Sequence, residues 1–462
     1  MALYDLQDDR PITGGEKNSP FYAWVLSAGP SSAPTDLKVA GLTISERQRR
    51  QLESLGARDI REGRTPDLRR NDPVLVIEAG LIADERLIAA FIAEAQSSAT
   101  RQALIAIGPD GERGGLAWLP GPDRPMDWQA IVSEAQPVDL SRTATYSPER
   151  RRHVPLVWMR PRDAASAREA AETLLSAAQK GCLDWPARFI HPPFENAAVR
   201  LLWRTPITPN MVSVFGGMMV VAAGIVYANL SWPVGAALGM ALHMGWHVVD
   251  GADGDLARMT GRSSPIGEMV DGICDYASHI VLYLILGWLL SHQSGYFAAG
   301  NGWILMLVAG ISHAIQSNHV EVQRRQYQWW VYGTPWLRHS HGKSDSATAK
   351  SPFGVFVSAY LNAASGMTPH ALRIDAAVDA AKGDPERLAG IAAAVRAEAP
   401  PLLFVCKVLG PNPRAIVLGL SMFAGTPLYY LIYQAVVLNG LLVLSVLMHN
   451  AAARRIAAKI GA

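Results

Sequence analysis

The chain has 462 residues, with 42 Lys and Arg against 40 Asp and Glu, and a formal net charge of +2. This even balance provides no bulk positive field, so the composition argues against a nucleic-acid partner. The length is sufficient for two or three domains.

The N-terminal part alternates short apolar runs with amphipathic ones. Residues 1–20 are polar, with Pro and Gly, and are predicted to be a flexible tail. Within 21–178, three runs are typical of strands, namely FYAWVLSA, PVLVIEAG and RQALIAIG. Three others are typical of helices, namely SERQRRQLESLGA, DERLIAAFIAEA and AASAREAAETLLSAAQK. The sequence therefore predicts a cytosolic α/β domain over 21–178.

The next segment, 179–208, mixes aromatic and apolar residues with Arg200 and Arg204. This mixture is typical of a helix that lies in the membrane interface. We therefore expect 179–208 to be an interfacial linker helix.

Three long stretches contain no Lys, Arg, Asp or Glu: Pro209–Val249, Tyr276–Val320 and Ala415–Ala453. Each is about twice the roughly 20 residues that cross a bilayer, and each is interrupted near its middle by small or polar residues. The expected fold is an all-α bundle of six transmembrane helices with an N-terminal soluble α/β domain. Spans one to four occupy 209–320, and spans five and six with a basic C-terminus occupy 402–462. A cytosolic insertion, 321–401, separates the two groups.

Basic residues flank these stretches on one side only, for example Arg204, Arg258, Arg324 and Arg454. The positive-inside rule then places both termini in the cytosol. The N-terminus has no basic region followed by an apolar one, so no signal peptide is expected. The sequence predicts an integral protein of the cytoplasmic (inner) membrane.

Four carboxylates lie where span two ends and span three begins. Asp250 and Asp253 are one helical turn apart, as are Asp271 and Asp275, so each pair shares a helix face. Such crowding beside hydrocarbon is costly because like charges repel and burial disfavours ionisation. Divalent cations would remove this conflict, and hard oxygen ligands favour Mg²⁺ or Mn²⁺.

The full spacing is D-x2-D-G-x2-A-R-x8-G-x3-D-x3-D, which resembles the signature of the CDP-alcohol phosphotransferase family. The residues at its fixed positions are Asp250, Asp253, Gly254, Ala257, Arg258, Gly267, Asp271 and Asp275. The resemblance implies that Asp250, Asp253 and Asp271 bind a two-metal centre. It implies that Asp275 is the general base and a partial metal ligand. It also implies that the CDP moiety is held by Gly254, Ala257, Arg258 and Gly267.

The family resemblance also implies the reaction: an acceptor hydroxyl attacks the β-phosphorus of a CDP-linked donor and CMP leaves. CDP-diacylglycerol with a polar alcohol such as inositol or its phosphate is the first expectation. CDP-inositol or another soluble CDP-alcohol with a lipid or polyol acceptor is the second. Arg324 and Arg325, which follow span four on the cytosolic side, could bind an acceptor phosphate. The active site is expected at the cytosolic face of a homodimer.

Other interpretations of these residues stay open. The chain could be a catalytically silent membrane scaffold that binds CDP, although retention of Asp275 argues against this, or a metal transporter. His243, His247 and Asp250 have a spacing that could bind zinc. Asp255 and Glu268 lie off the fixed positions and are expected to be solvated.

The N-terminal domain is similar to the nucleotidyltransferase-like domain fused to some family members that make inositol phosphodiesters. It has no Gly-rich phosphate loop, and VIEAGLIADE offers only Glu78 where a metal-binding Asp is wanted. We therefore expect a degenerate domain that acts as a scaffold or in dimerisation, with residual nucleotide binding as the alternative.

Overall fold

The strands lie in the N-terminal part of the chain. The computed structural model describes residues 21–27, 37–63, 73–98, 102–120, 128–182, 184–293, 295, 297, 300–334 and 366–462. The predicted tail over 1–20 lies outside these residues. The strands are β1 Phe21–Leu26, β2 Lys38–Val39, β3 Leu42–Thr43, β4 Ala57–Gly63, β5 Val74–Glu78, β6 Ile82–Ala83, β7 Leu104–Ile107, β8 Arg113–Leu119, β9 Gln136–Asp139, β10 Tyr146–Ser147, β11 Arg152–His153 and β12 Trp158–Met159.

Six of these strands form one mixed sheet in the order β4-β1-β5-β8-β7-β9. Strand β8 runs antiparallel to β5 and β7, and the other neighbours are parallel. The central strand β5 is buried along its whole length, as expected for a strand covered on both faces. Four helices accompany the strands, namely α1 Ile44–Ser54, α2 Glu85–Ser97, α3 Trp128–Glu134 and α4 Ala164–Ala178. The three predicted strands and the three predicted helices are confirmed.

Asp84 joins the sheet to helix α2. Its side chain accepts a hydrogen bond from the Arg86 backbone N–H and is 2.9 Å from the Arg86 guanidinium and 3.5 Å from that of Arg150. Burial raises the pKa of Asp84, but the hydrogen bonds and charges of the two arginines outweigh burial and hold this pKa below its ordinary value. The stabilisation is therefore present above the unfolded-state pKa and is lost as pH falls through the folded-state pKa.

Asp84→Asn is expected to destabilise this part of the protein by about 3 kcal/mol, because it leaves two arginines without their buried counter-ion. Hydrogen–deuterium exchange of the α2 amides in the full chain measures the effect. Asp59→Asn is the matched control, since Asp59 pairs with Arg61 at an exposed site and should change exchange little. Equal effects of the two substitutions would contradict the assignment.

Fourteen helical segments follow, and they carry the rest of the described chain. They are α5 Trp185–Phe189, α6 His191–Leu202, α7 Pro209–Asn229, α8 Val234–Thr260, α9 Pro265–Ser291, α10 Asn301–Tyr332, α11 Ala371–Ala380, α12 Pro385–Ala397, α13 Ala399–Leu402, α14 Phe404–Val408, α15 Pro411–Phe423, α16 Leu428–Ile432, a π-helical turn Tyr433–Val437, and α17 Leu438–Ile460. The linker predicted as one helix over 179–208 is two helices, α5 and α6. The physical reason is a pair of prolines at the start of α6, which begin a helix but cannot continue one.

The predicted breaks between spans fall at the turns observed after α7, α9 and α15. Among the described residues, three helices are long and apolar enough to cross a membrane: Pro209–Asn229, Ile266–Ser291 and Leu428–Ile460. Large apolar side chains on these helices face outward, for example Phe215, Ile280 and Leu447. The other three predicted spans correspond to α8, α10 and α15, and their membrane crossing stays a prediction.

The α/β part is attached to the end of helix α8. Arg47 donates to the carbonyl of Met259 at 2.5 Å, and Arg50 donates to the carbonyl of Thr260 at 2.6 Å. The last carbonyls of a helix have no partner within the helix and carry partial negative charge, so arginines satisfy them well. The α/β part is thereby held against the helix that carries Asp250 and Asp253.

Candidate active site

The acidic residues lie on two consecutive helices. Helix α8 ends at Thr260, and Gly261 follows in the left-handed conformation, with φ of 61°. Helix α9 begins after Ser264, whose side chain accepts a hydrogen bond from the backbone N–H of Gly267 at 3.0 Å. The short connection reverses the chain, so the end of one helix and the start of the next share one region.

Three of the four predicted metal ligands come together there. One carboxylate oxygen each from Asp250, Asp271 and Asp275 lies within 4.8 Å of the other two. All three side chains are partly accessible. Three carboxylates this close repel one another unless a cation or protons lie between them. The arrangement fits a hard divalent cation such as Mg²⁺ or Mn²⁺.

Asp253 faces a different partner. It is 5% exposed, and the hydroxyl of Ser213 on α7 donates to its Oδ2 at 2.5 Å. This contact engages one of the two carboxylate oxygens. The role of Asp253 as a metal ligand stays a prediction.

The alternative zinc site does not form in the described part of the chain. His243 and His247 stack with ring centroids 5.8 Å apart, but neither joins Asp250 in a group with metal-ligand spacing. Both rings are buried. They belong to the interior of the helix bundle.

Arg258 makes two contacts within the protein. Its Nε donates to the carbonyl of Ala178 at 2.6 Å, and its guanidinium pairs with Asp255 at 2.5 Å. Asp255 is 2% exposed, so the prediction that it is solvated is wrong. The reason is the three-residue spacing, which puts Asp255 and Arg258 on one helix face. Glu268 is exposed, as expected.

The four residues predicted to hold CDP lie on the same two helices as the acidic group. Gly254 and Ala257 are partly buried on α8, and Gly267 is partly buried in the first turn of α9. The Arg258 guanidinium lies beside Gly254. Nucleotide binding by these four residues stays a prediction.

The sequence analysis missed Glu195, which lies on α6 against the backbone of Gly251. A Cβ at Gly251 would be 2.3 Å from Oε1 of Glu195, so a larger residue there would displace the Glu195 carboxylate. Burial raises the pKa of Glu195 to about 8, and the charges of Asp255 and Asp250 add to the rise. Gly251, between two acidic residues, was the sequence signal for such a contact.

Lys180 was also missed, because it lies seventy residues before the acidic motif. Lys180 is exposed to solvent, although protein groups crowd its ammonium group. This crowding lowers the pKa of Lys180, and Arg258 and Arg151 lower it further, whereas Asp250 and Asp271 act in the opposite direction. No local pattern predicts this long-range contact.

Residues 206–339 match the CDP-alcohol phosphatidyltransferase family. A curated relative, choline/ethanolaminephosphotransferase 2 of Arabidopsis thaliana, is 34% identical over 99 residues. That match covers 19% of this chain and about a quarter (24%) of the relative's length. The matched segment contains α7, α8, α9 and the acidic group that they position. Residues 206–339, which position the acidic group, are therefore similar to the CDP-alcohol phosphatidyltransferase family.

Proposed function

We propose that the chain is an integral membrane CDP-alcohol phosphotransferase that moves a phospho-alcohol group from a CDP-linked donor to an acceptor hydroxyl. The observation that carries this proposal is the group of Asp250, Asp271 and Asp275. It lies inside the matched family segment and beside helices able to cross a bilayer. The six-span arrangement belongs to the same proposal.

The carboxylate ligands suit the divalent metal that the family implies. Asp250, Asp271 and Asp275 would hold Mg²⁺ or Mn²⁺, with Asp253 joining through the oxygen that Ser213 leaves unengaged. A bound divalent cation would supply electrostatic stabilisation of the negative charge that develops on CMP as it leaves.

Asp275 is the residue that takes the proton in this proposal. The acceptor hydroxyl gives its proton to the Asp275 carboxylate as its oxygen bonds to the β-phosphorus of the donor. The bond from that phosphorus to the bridging oxygen breaks, and its electrons leave with CMP. The indole of Trp246 interacts with the Asp275 carboxylate, and the ring of His279 lies 2.8 Å from the Asp275 carbonyl oxygen. The Trp246 contact orients the carboxylate, whereas the His279 contact is to the backbone.

The CDP-linked donor could be water-soluble or a lipid. The Arabidopsis relative is named for choline and ethanolamine, which are small soluble alcohols. That name favours a soluble CDP-alcohol with a lipid acceptor, which the sequence analysis placed second. CDP-diacylglycerol with a polar alcohol is the other candidate.

The α/β part is proposed to be a degenerate nucleotidyltransferase-like domain on the cytosolic side of a homodimer. The side chain of Glu78 supports this, because Arg160 pairs with it at 3.0 Å. Arg160 also contacts Asp110 at 3.3 Å and Glu112 at 3.5 Å. An acid neutralised in this way is poorly placed to hold a metal.

Release of CMP by the purified chain in lipid nanodiscs tests the proposal. The chain is offered CDP-choline, CDP-ethanolamine, CDP-inositol or CDP-diacylglycerol, each with diacylglycerol or inositol phosphate, in Mg²⁺ or Mn²⁺. Metal-dependent CMP release with one donor class is the expected result, and chelation with EDTA should stop it. Metal-dependent CDP binding without any release would favour the silent scaffold instead.

A further inference from the structure

We propose that Lys180 and Arg151, which both precede the matched family segment, form a cationic wall over the acidic group and bind a phosphate group of the substrate. The proposal rests on the function proposed above and deepens it. It gives the N-terminal part of the chain a role in substrate recognition, in addition to the scaffold role expected from the sequence.

The segment that carries Lys180 is tied to the site from three directions. Arg258 on α8 donates to the carbonyl of Ala178 at 2.6 Å. The Gln179 side chain donates to Asn196 on α6 at 2.8 Å. These bonds fix the two residues that precede Lys180 against the two helices that carry Asp250 and Glu195.

The third contact brings Arg151 to the same place. The backbone N–H of Gly181 donates to the carbonyl of Arg150 at 2.7 Å. A Cβ at Gly181 would be 2.8 Å from the carbonyl oxygen of Arg151, so only glycine permits this approach. Arg151 itself has φ of 58°, a backbone conformation that costs energy for a residue with a side chain. A residue in this conformation is held there by its surroundings, and such residues cluster at functional sites.

Both side chains lie within electrostatic range of the acidic group. Asp250 interacts electrostatically with both Lys180 and Arg151, and Asp271 interacts with Lys180. Lys180 and Arg151 also repel each other and Arg258. Three cations are gathered around one acidic group, and Arg258 is already paired with Asp255. Glu321, whose charge also acts on Arg151, is itself paired with Arg324 and Arg325. Once divalent cations neutralise the acidic group, Lys180 and Arg151 are therefore available to an anion.

A phosphate group is an anion that both the bound divalent cations and the two basic side chains can contact. Divalent cations held by carboxylates prefer to keep positions open for phosphate oxygens. Lysine is a compact cation that follows a phosphate as it moves, and arginine offers two parallel donors to it. The phosphate is either the diphosphate of the CDP-linked donor or a phosphate on the acceptor.

Kinetics of Lys180→Met, Lys180→Arg and Lys382→Met test the proposal. Lys382 is an exposed lysine that pairs with Asp379 on α11 and serves as the control. Lys180→Met is expected to raise one KM by roughly 10- to 100-fold, the loss of one hydrogen bond to a charged group, with kcat changed little. Lys180→Arg should restore most of the affinity. A rise in donor KM assigns the diphosphate, and a rise in KM for a phosphorylated acceptor alone assigns the acceptor phosphate.

A binding measurement keeps the two proposals distinguishable. The intact protein in nanodiscs is acetylated at lysines with and without ligand, and modification of Lys180 is quantified by mass spectrometry. CDP, inositol phosphate and inorganic pyrophosphate are the probes, each with Mg²⁺, and cytidine is the uncharged control. Protection of Lys180 by at least one phosphate probe and not by cytidine supports the wall even if no CMP release is found. Unchanged KM values together with no protection by any phosphate probe would overturn it.

Discussion

Asp271→Asn is expected to reduce CMP release to the background rate. Asp271 is one of three residues whose carboxylate oxygens lie within 4.8 Å of one another. The asparagine side chain is neutral and has one oxygen in place of two. The substitution therefore removes the anionic ligand but keeps the size and shape of the side chain. Losing a residue that merely supports a metal ligand costs roughly 10- to 100-fold in affinity, and losing the ligand should cost more. Mn²⁺ binding, followed by electron paramagnetic resonance, should weaken in parallel.

The control for this substitution is Glu268→Gln. Glu268 lies one turn earlier on the same helix and is exposed. Glu268→Gln makes the same change from acid to amide, but outside the acidic group. CMP release should therefore stay within about twofold of the unmodified protein. Thermal stability of both variants in detergent should be unchanged or raised, because removing a like charge relieves repulsion. Ordinary CMP release by Asp271→Asn would refute the metal site.

Elements with strong local patterns could be predicted from the sequence. Continuous apolar runs identified β1, β5 and β7, and long uncharged stretches with central breaks identified the helical hairpins. Strand β4 was missed because its sequence, ARDIREG, has charged residues along an edge of the sheet. Strand β8 was missed because it contains two adjacent glycines, which normally disfavour strands.

At the candidate site too, residues with a local pattern were predicted and distant contacts were missed. The spacing of the acidic residues on α8 and α9 was enough to predict that Asp250, Asp271 and Asp275 lie close together. Contacts from other elements were not visible, because Ser213 and Lys180 are distant in sequence and have no pattern of their own. The assignment of Arg258 to phosphate overlooked a nearer partner, Asp255, at a spacing that favours an ion pair.

The α/β part contributes more contacts to the site than the sequence analysis predicted. Arginines of α1 satisfy the end of α8, and Ala178 at the end of α4 accepts from Arg258. Loosening these contacts would therefore move the helix that carries Asp250. Position of the domain and geometry of the acidic group are physically coupled, even if the domain binds no nucleotide.

Asp275→Asn is expected to lower the single-turnover rate by about 10² to 10⁴, the usual contribution of a general base. Its effect on donor affinity should be smaller than that of Asp271→Asn, because Asp275 is only a partial metal ligand and Asp250 and Asp271 still hold the cation. Asp253→Asn should instead weaken metal and donor together. Ser213→Ala removes the hydrogen bond that orients Asp253, so it should weaken metal binding by roughly 10- to 100-fold while leaving the chemical step intact.

A metal titration of donor binding, run beside single-turnover rates for all three variants, separates these roles. The decisive comparison is between the two aspartates, since Asp275 lies within the group of close carboxylates and Asp253 lies beside Ser213. If Asp275→Asn loses as much donor affinity as Asp253→Asn, Asp275 is chiefly a metal ligand. The acceptor proton would then have to go to another carboxylate. Glu195, which is partly buried against Gly251 and has a raised pKa, would be the next residue to substitute.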